Sequence, residues 1–219
     1  MSLALDHVLI WTSPGAPEAD ALIEAGFLEG GSRRHHGQGT ANRTFFFENA
    51  YLEFIWVEDE AEARSELVQP LGIWERWRWR ETGASPFGIC VRVEDGRIPF
   101  ATFDYRPPYI PAGASIPIAS DTHLGEPLLF VNLAGGSPAR RTGDARPALD
   151  HPNGARELTR IHLGLPDAVD ISAALQRLPL SGWATIGHSP APVIELSWDA
   201  RRQGQRLDLQ PELPLILHW

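Results

Sequence analysis

Two ionisable residues stand inside apolar, strand-like runs. His7 lies in Leu5-Asp6-His7-Val8-Leu9-Ile10-Trp11, and Glu53 lies in Tyr51-Leu52-Glu53-Phe54-Ile55-Trp56-Val57. A carboxylate in such a run is costly to bury unless it is paired or binds a metal. An imidazole and a carboxylate facing one cavity can share a cation, pass a proton or neutralise each other. A histidine alone is more often a core residue bonded to a carboxylate, so the weight given to His7 comes from Glu53. Strand alternation places His7, Leu9 and Trp11 on one face, and Tyr51, Glu53, Ile55 and Val57 on another. With His7 and Glu53 turned inward, Trp11 and Tyr51 enter the same cavity, and a few polar groups between apolar walls suit a small molecule. His35-His36-Gly37-Gln38-Gly39-Thr40-Ala41-Asn42-Arg43 lies between the two runs. Its His36, Thr40, Asn42 and Arg43 can bind a carboxylate or carbonyl oxygen. The alternative is that the glycines shape a turn while Thr40 and Asn42 bond the local backbone. The segment lacks the lysine and spacing of a phosphate loop.

The elements that must position these residues read as follows. Leu5 to Trp11 predicts a buried strand, broken by Pro14-Gly15. Pro17, Glu18 and Asp20 suit the start of a short helix that Gly26 ends. Thr44 to Phe47 and Tyr51 to Val57 predict a hairpin. Together these make one βαβββ unit. Glu58 to Arg80 changes to helical spacing, with tryptophans at 74, 77 and 79 that predict a helix end packed on the sheet. Ser85 to Glu94 and Glu126 to Leu133 read as strands. The remaining part of 98–150 is dense in proline and glycine and reads as long loops. Its Arg140, Arg141 and Arg146 read as solvated, with an anion clamp as the alternative. Strand, helix and three strands then recur: Leu158 to Leu165, a helix around Ile171 to Leu178, and strands at Trp183 to Gly187, Val193 to Trp198 and Arg206 to Gln210. The expected division is a first module at 1–58, connecting helix, extra strands and loops at 59–157, and a second module at 158–219.

Bulk properties narrow the classes. The 219 residues can bury a substantial core. The formal net charge of -9 argues against nucleic acid as a partner. All 19 basic residues are arginine, which excludes a Schiff-base lysine. No apolar run reaches the roughly 18 residues of a membrane span. The N-terminus shows no basic region of a signal peptide, and one cysteine fits a reducing cytoplasm. Cys90 reads as a small core residue. No serine or cysteine nucleophile signature and no dinucleotide fingerprint is present.

Asp6-His7-Val8, His36-Gly37-Gln38-Gly39-Thr40-Ala41-Asn42-Arg43, Tyr51-Leu52-Glu53 and His151-Pro152-Asn153-Gly154-Ala155 together resemble the glyoxalase-like domain of the vicinal-oxygen-chelate superfamily. The resemblance implies an α+β fold of paired βαβββ modules, here with a Pro/Gly-rich insertion, whose sheets curl around a cavity. It implies metal ligands on the first and last strands of each module. Those would be His7 and Glu53, then His162 and Asp208, holding a divalent ion such as Zn, Ni, Mn or Fe. It implies lyase, isomerase or dioxygenase chemistry on a small carbonyl or oxygen-rich substrate, with Glu53 and His7 as catalytic groups. Equally it allows a metal-free protein that sequesters a small molecule near Trp11, Tyr51 and Trp56 or Trp198. A homodimer is compatible with either.

Overall fold

The computed structural model describes residues 3–94, 96–143 and 146–219. Thirteen described strands form two sheets, one of eight strands and one of five. The first unit runs β1 (Leu3–Trp11), a single 3-10 turn leading into α1 (Asp20–Glu24), β2 (Gly31–His35), β3 (Thr40–Phe46) and β4 (Tyr51–Val57). The helix is only five residues long, so its stability comes from packing Leu22 into the core rather than from its own hydrogen bonds. β1 pairs parallel with β4, and β2–β3–β4 is an antiparallel meander. This is the βαβββ unit that the hydrophobic pattern predicts.

α2 (Glu60–Ala63), α3 (Ile73–Trp77) and α4 (Trp79–Thr82) follow. Trp77 donates its indole N–H to the carbonyl of Thr12 at 3.0 Å, and Trp74, Trp77 and Trp79 pack against the buried cluster around Trp11. The tryptophan-rich run is thus a packed end wall. Then come β5 (Phe87–Val93), β6 (Thr102–Tyr105), β7 (Ile116–Ala119) and β8 (Leu128–Val131). β5 is parallel to β8, as β1 is to β4, and β5 pairs antiparallel with β1. The sheet order β2-β3-β4-β1-β5-β8-β7-β6 therefore reads as the same four-strand pattern twice, back to back. The counterpart of β1–β4 is β5–β8, within the stretch whose sequence reads as connecting structure. The β6–β7 hairpin was expected to be loop, because Pro107, Pro108, Pro111 and Pro117 argue against strands there. Most of those prolines fall in the 106–115 connection, and only Pro117 enters a strand.

The second sheet holds β9 (Leu158–Leu165), β10 (Ala184–His188), β11 (Val193–Trp198), β12 (Arg206–Asp208) and β13 (Leu215–His218), in the order β10-β9-β11-β13-β12. Between β9 and β10 the expected helix at 171–178 is a 3-10 helix at Leu175–Ser181 that carries Pro179 inside it. β13 lies beyond the predicted strands. One face of the eight-stranded sheet, with Val8, Ile10, Leu52, Phe54 and Ile89, packs on this second sheet through Leu163, Leu196 and Trp198 in one buried cluster. The opposite face, with Leu9, Trp11 and Ile55, belongs to a smaller cluster with Leu71, Ile73 and Leu128. That second face carries the cavity.

The β2–β3 turn is locked to α2. Gly39 has φ 73°, and its carbonyl accepts the N–H groups of Glu58 and Asp59. A methyl group on Gly39 would sit 2.3 Å from the Asp59 carbonyl oxygen, against backbone. Gly39→Ala should therefore cost about 1–3 kcal/mol. Thermal melting should fall by roughly 3–10 °C at the scale expected for a chain of this size. An unchanged melting temperature would refute the constraint.

Candidate functional site

A cavity of about 740 Å3 opens on the face of the eight-stranded sheet away from the second sheet. Its wall follows the strand alternation. His7, Leu9 and Trp11 come from β1, Tyr51, Glu53 and Ile55 from β4, Cys90 from β5, and Leu128 and Phe130 from β8. Parallel register puts His7 level with Tyr51, Leu9 with Glu53 and Trp11 with Ile55. The cavity thus grades from an aromatic end at Tyr51 and Phe46, through His7 and Glu53, to an apolar end at Trp11, Leu71 and Ile73.

The centre is built around a β-bulge. β1 and β5 pair Leu5 with Val91 and then His7 with Cys90, so Asp6 is an extra residue in β1. Bulges re-aim side chains. Here the bulge brings the Asp6 carboxylate beside its own neighbour, with Asp6 Oδ1 2.7 Å from His7 Nδ1. Asp6 Oδ2 accepts from Arg92 Nη1 at 2.8 Å and from Asn132 Nδ2 at 3.1 Å. Burial pushes the Asp6 carboxyl up, but the bonds and charges of His7 and Arg92 outweigh it and hold the pKa at about 2. An ionised Asp6 accepts the Nδ1 proton of His7, which leaves Nε2 as the nitrogen that faces Glu53. His7 Nε2 is 3.5 Å from Glu53 Oε2. The ring is stacked on Tyr51 at 4.2 Å and meets the Phe130 edge at 5.3 Å.

Glu53 is fixed from its other side. Asn42 Nδ2 donates to Glu53 Oε1, and Asn42 Oδ1 accepts the backbone N–H of Arg33 at 2.7 Å, which settles the amide's orientation. A relay closes the rim. Tyr105 and Tyr109 donate to Gln38 Oε1, Gln38 Nε2 donates to Thr40 Oγ1 at 2.8 Å, and Thr40 Oγ1 is 2.9 Å from His35 Nδ1. Burial lowers the pKa of His35, so its ring is held neutral. Burial likewise raises the Tyr51 phenol and the Cys90 thiol, with Glu53 and Asp6 adding to both, so each keeps its proton.

The structure brings His7, Glu53, Asn42, Trp11 and Tyr51 together as expected from the sequence. It does not bring the other candidates there. Arg43 is one residue from Asn42 and so points to the opposite face of β3, where it pairs with Glu29 and Asp20. His36 is exposed in the β2–β3 turn, and Thr40 acts behind His35 rather than at the wall. His162 and Asp208 belong to the second sheet. His162 bonds Thr185, and Asp208 pairs with Arg206 on the surface. The whole thickness of the main core separates that sheet from the cavity, so the expected four-residue ligand set is not assembled. Trp56 and Trp198 also pack in that core, away from the cavity. His151 is structural: its Nδ1 accepts the Leu28 N–H and its Nε2 donates to the Phe46 carbonyl. Asp6, His35, Gln38, Tyr105 and Tyr109 are additions of the structure, while Arg141, one of the arginines weighed in the sequence as an anion clamp, lines the cavity.

The metal expectation can be tested on the donors present. Asp6, His7 and Cys90 each offer a donor atom within 4.8 Å of the others, the one such group among the described residues. Both Asp6 oxygens are already taken by His7, Arg92 and Asn132. His7 and Glu53 form half a site, but where β5 and β8 would complete it the wall presents Cys90, Leu128 and Phe130. Catalytic sites for ions such as Zn commonly use three protein ligands of N, O or thiolate type. His7 and Cys90, with Glu53 beside His7, are the donors that could hold a divalent ion here, in place of the expected set with His162 and Asp208.

Residues 5–98 match the family model described as a glyoxalase-like domain. Over that stretch, which is under half of its length, the chain is similar to the glyoxalase-like family. No curated relative matches its sequence. Among solved structures, a hypothetical protein from Staphylococcus aureus aligns over 99% of this chain and 98% of that chain, with TM-score 0.52 and 11% identity, a likeness of fold. A methylmalonyl-CoA epimerase from Streptomyces coelicolor aligns over 63% of this chain and 100% of that chain, with TM-score 0.40 and 16% identity. Among the described residues of this glyoxalase-like protein, no helix is long and apolar enough to cross a membrane.

Asp6 gives the site a pH signature. Its folded pKa of about 2 lies below the unfolded value of 3.8, so its stabilisation is complete above about pH 4 and is lost as pH falls through 2. The shift corresponds to about 2 kcal/mol. Denaturant titrations should show Asp6→Asn less stable by about that amount at pH 7, with the gap to wild type closing below pH 4. A gap that persists unchanged at pH 2 would contradict the assignment.

Proposed function

We propose that this glyoxalase-like protein is an enzyme that moves a proton on a carbon next to a carbonyl group, with His7 and Glu53 as the acid–base pair. The observation that carries this reading is the line Asp6–His7–Glu53, in which a fixed carboxylate leaves His7 Nε2 to face a second carboxylate inside an apolar cavity. In the step, His7 Nε2 takes the proton, the carbon–hydrogen bond breaks, and its electron pair passes to the carbonyl oxygen as an enolate. Asp6 and Glu53 flank the imidazolium so formed and stabilise its charge. Return of the proton to a different position or face completes an isomerisation, and loss of a leaving group from the adjacent carbon would make the same step a lyase.

His35, on the cavity wall, is the donor we assign to that oxygen. The Thr40 hydroxyl accepts from Gln38, and in this reading it directs its own hydrogen at His35 Nδ1, so that the neutral His35 ring carries its proton on Nε2. A neutral imidazole N–H in a low-dielectric wall stabilises a developing oxyanion. Every part of this step is carried by a protein group.

The reaction is readable without knowing the substrate. Full-length protein in deuterated water should speed loss of the α-proton NMR signal from at least one member of a panel of 2-oxo acids and aldehydes. His7→Gln and Glu53→Gln should each slow that exchange by roughly 10²–10⁴. Exhaustive chelation should leave it unchanged. Exchange that survives in His7→Gln, or that vanishes on chelation and returns with zinc, would overturn the reading. No exchange across the panel would instead support a protein that only sequesters its ligand.

A further inference from the structure

Four arginines stand around the cavity, and they differ in what balances their charge. Arg92 is spent on Asp6, and Arg43, behind the wall, on Glu29 and Asp20. Arg33 donates to the Tyr109 carbonyl at 3.0 Å and lies over the Tyr109 ring. Arg141 lines the cavity at its aromatic end with no carboxylate in ion-pair range among the described residues. Its guanidinium carbon sits 5.3 Å from the Phe46 ring centre and 6.0 Å from that of Tyr51. Two aromatic faces thus hold a cation in place and leave its five donors for something else. Arg140, one residue earlier, is exposed and does not line the cavity.

The opposite end of the cavity has the reverse chemistry. Trp11, Ile55, Leu71 and Ile73 form an apolar floor that offers no charge. At about 3.3 Å per residue, the four-residue advance from His7 to Trp11 along β1 spans roughly 13 Å. His7 and Glu53 lie between the two ends.

We infer that the ligand is a monoanionic amphiphile, with a carboxylate met by Arg141 and an aryl or branched alkyl tail against Trp11, Ile55 and Leu71. This deepens the proton-transfer reading, because it sets the reacting carbon opposite His7 and Glu53, between head and tail. The planar guanidinium of Arg141 offers parallel N–H donors, a geometry that matches a carboxylate. The tail supplies binding through burial, and the head supplies orientation.

The test is calorimetric titration of the full chain at pH 7.5 with 6-phenylhexanoate, its primary amide and acetate. The acid should bind at least tenfold more tightly than the amide, and acetate at least tenfold more weakly than the acid. Arg141→Gln should remove the preference for acid over amide, Arg141→Lys should keep part of it, and Arg140→Gln should keep all of it. Equal binding of acid and amide, no binding of either, acetate binding as tightly as the acid, or an undiminished preference in Arg141→Gln would overturn the assignment. His7→Gln should keep the acid preference while losing proton exchange, so failure of the recognition model and failure of the proton-transfer reading give different results.

Discussion

The site depends on one buried negative charge. A carboxylate as deep as Asp6 is tolerated only when its hydrogen-bonding capacity is filled. Arg92 from β5, Asn132 just beyond β8 and His7 from the same strand fill it. Each partner comes from an element that borders the cavity. Arg92 also donates to the Asn49 carbonyl at the β3–β4 connection. A single carboxylate therefore ties the two halves of the eight-stranded sheet together and sets which nitrogen of His7 faces the ligand. Stability and chemistry share the same bonds.

The second sheet does a different job. It covers the far face of the eight-stranded sheet with a continuous apolar cluster, so the strands that carry His7 and Glu53 are packed from behind. Asn49 binds both the N–H and the carbonyl of Leu158, and Trp183 binds the Leu3 carbonyl, so the second sheet is pinned to the hairpin tip and the start of β1. A floor held this way lets the cavity side stay open without losing its shape. Sites on such packed strands hold reacting groups more closely than sites on loops.

His7 and Glu53 were legible in the sequence because each interrupts an apolar strand, and burial makes such an interruption expensive. Period-two alternation also placed Trp11 and Tyr51 correctly. The same rule separates Asn42 from Arg43, which the motif had grouped together. Asp6 was hidden by alternation, since a regular strand would send residues 6 and 7 to opposite faces, and only the bulge reunites them. His162 and Asp208 sit in strands with the right local pattern, but alternation gives the face of a strand and not the sheet that covers it. The counterpart of β1–β4 is not legible in the sequence because β5–β8 has proline-rich connections and, among the described residues, no helix between its first two strands. Tyr105, Tyr109 and Arg141 come from those connections, where no local periodicity announces a role.

The strands that line the cavity decide what chemistry it can hold. Here the β1 and β4 half presents an imidazole and a carboxylate, while the β5 and β8 half presents a thiol, a leucine and a phenylalanine. That asymmetry favours proton transfer by protein groups, which requires one tautomer of His7. Long-range proton–nitrogen NMR on protein labelled at histidine reads it directly. The expected result is a proton on Nδ1 of His7, toward Asp6, with an unprotonated Nε2 toward Glu53. A proton found on Nε2 with a bare Nδ1 would contradict it.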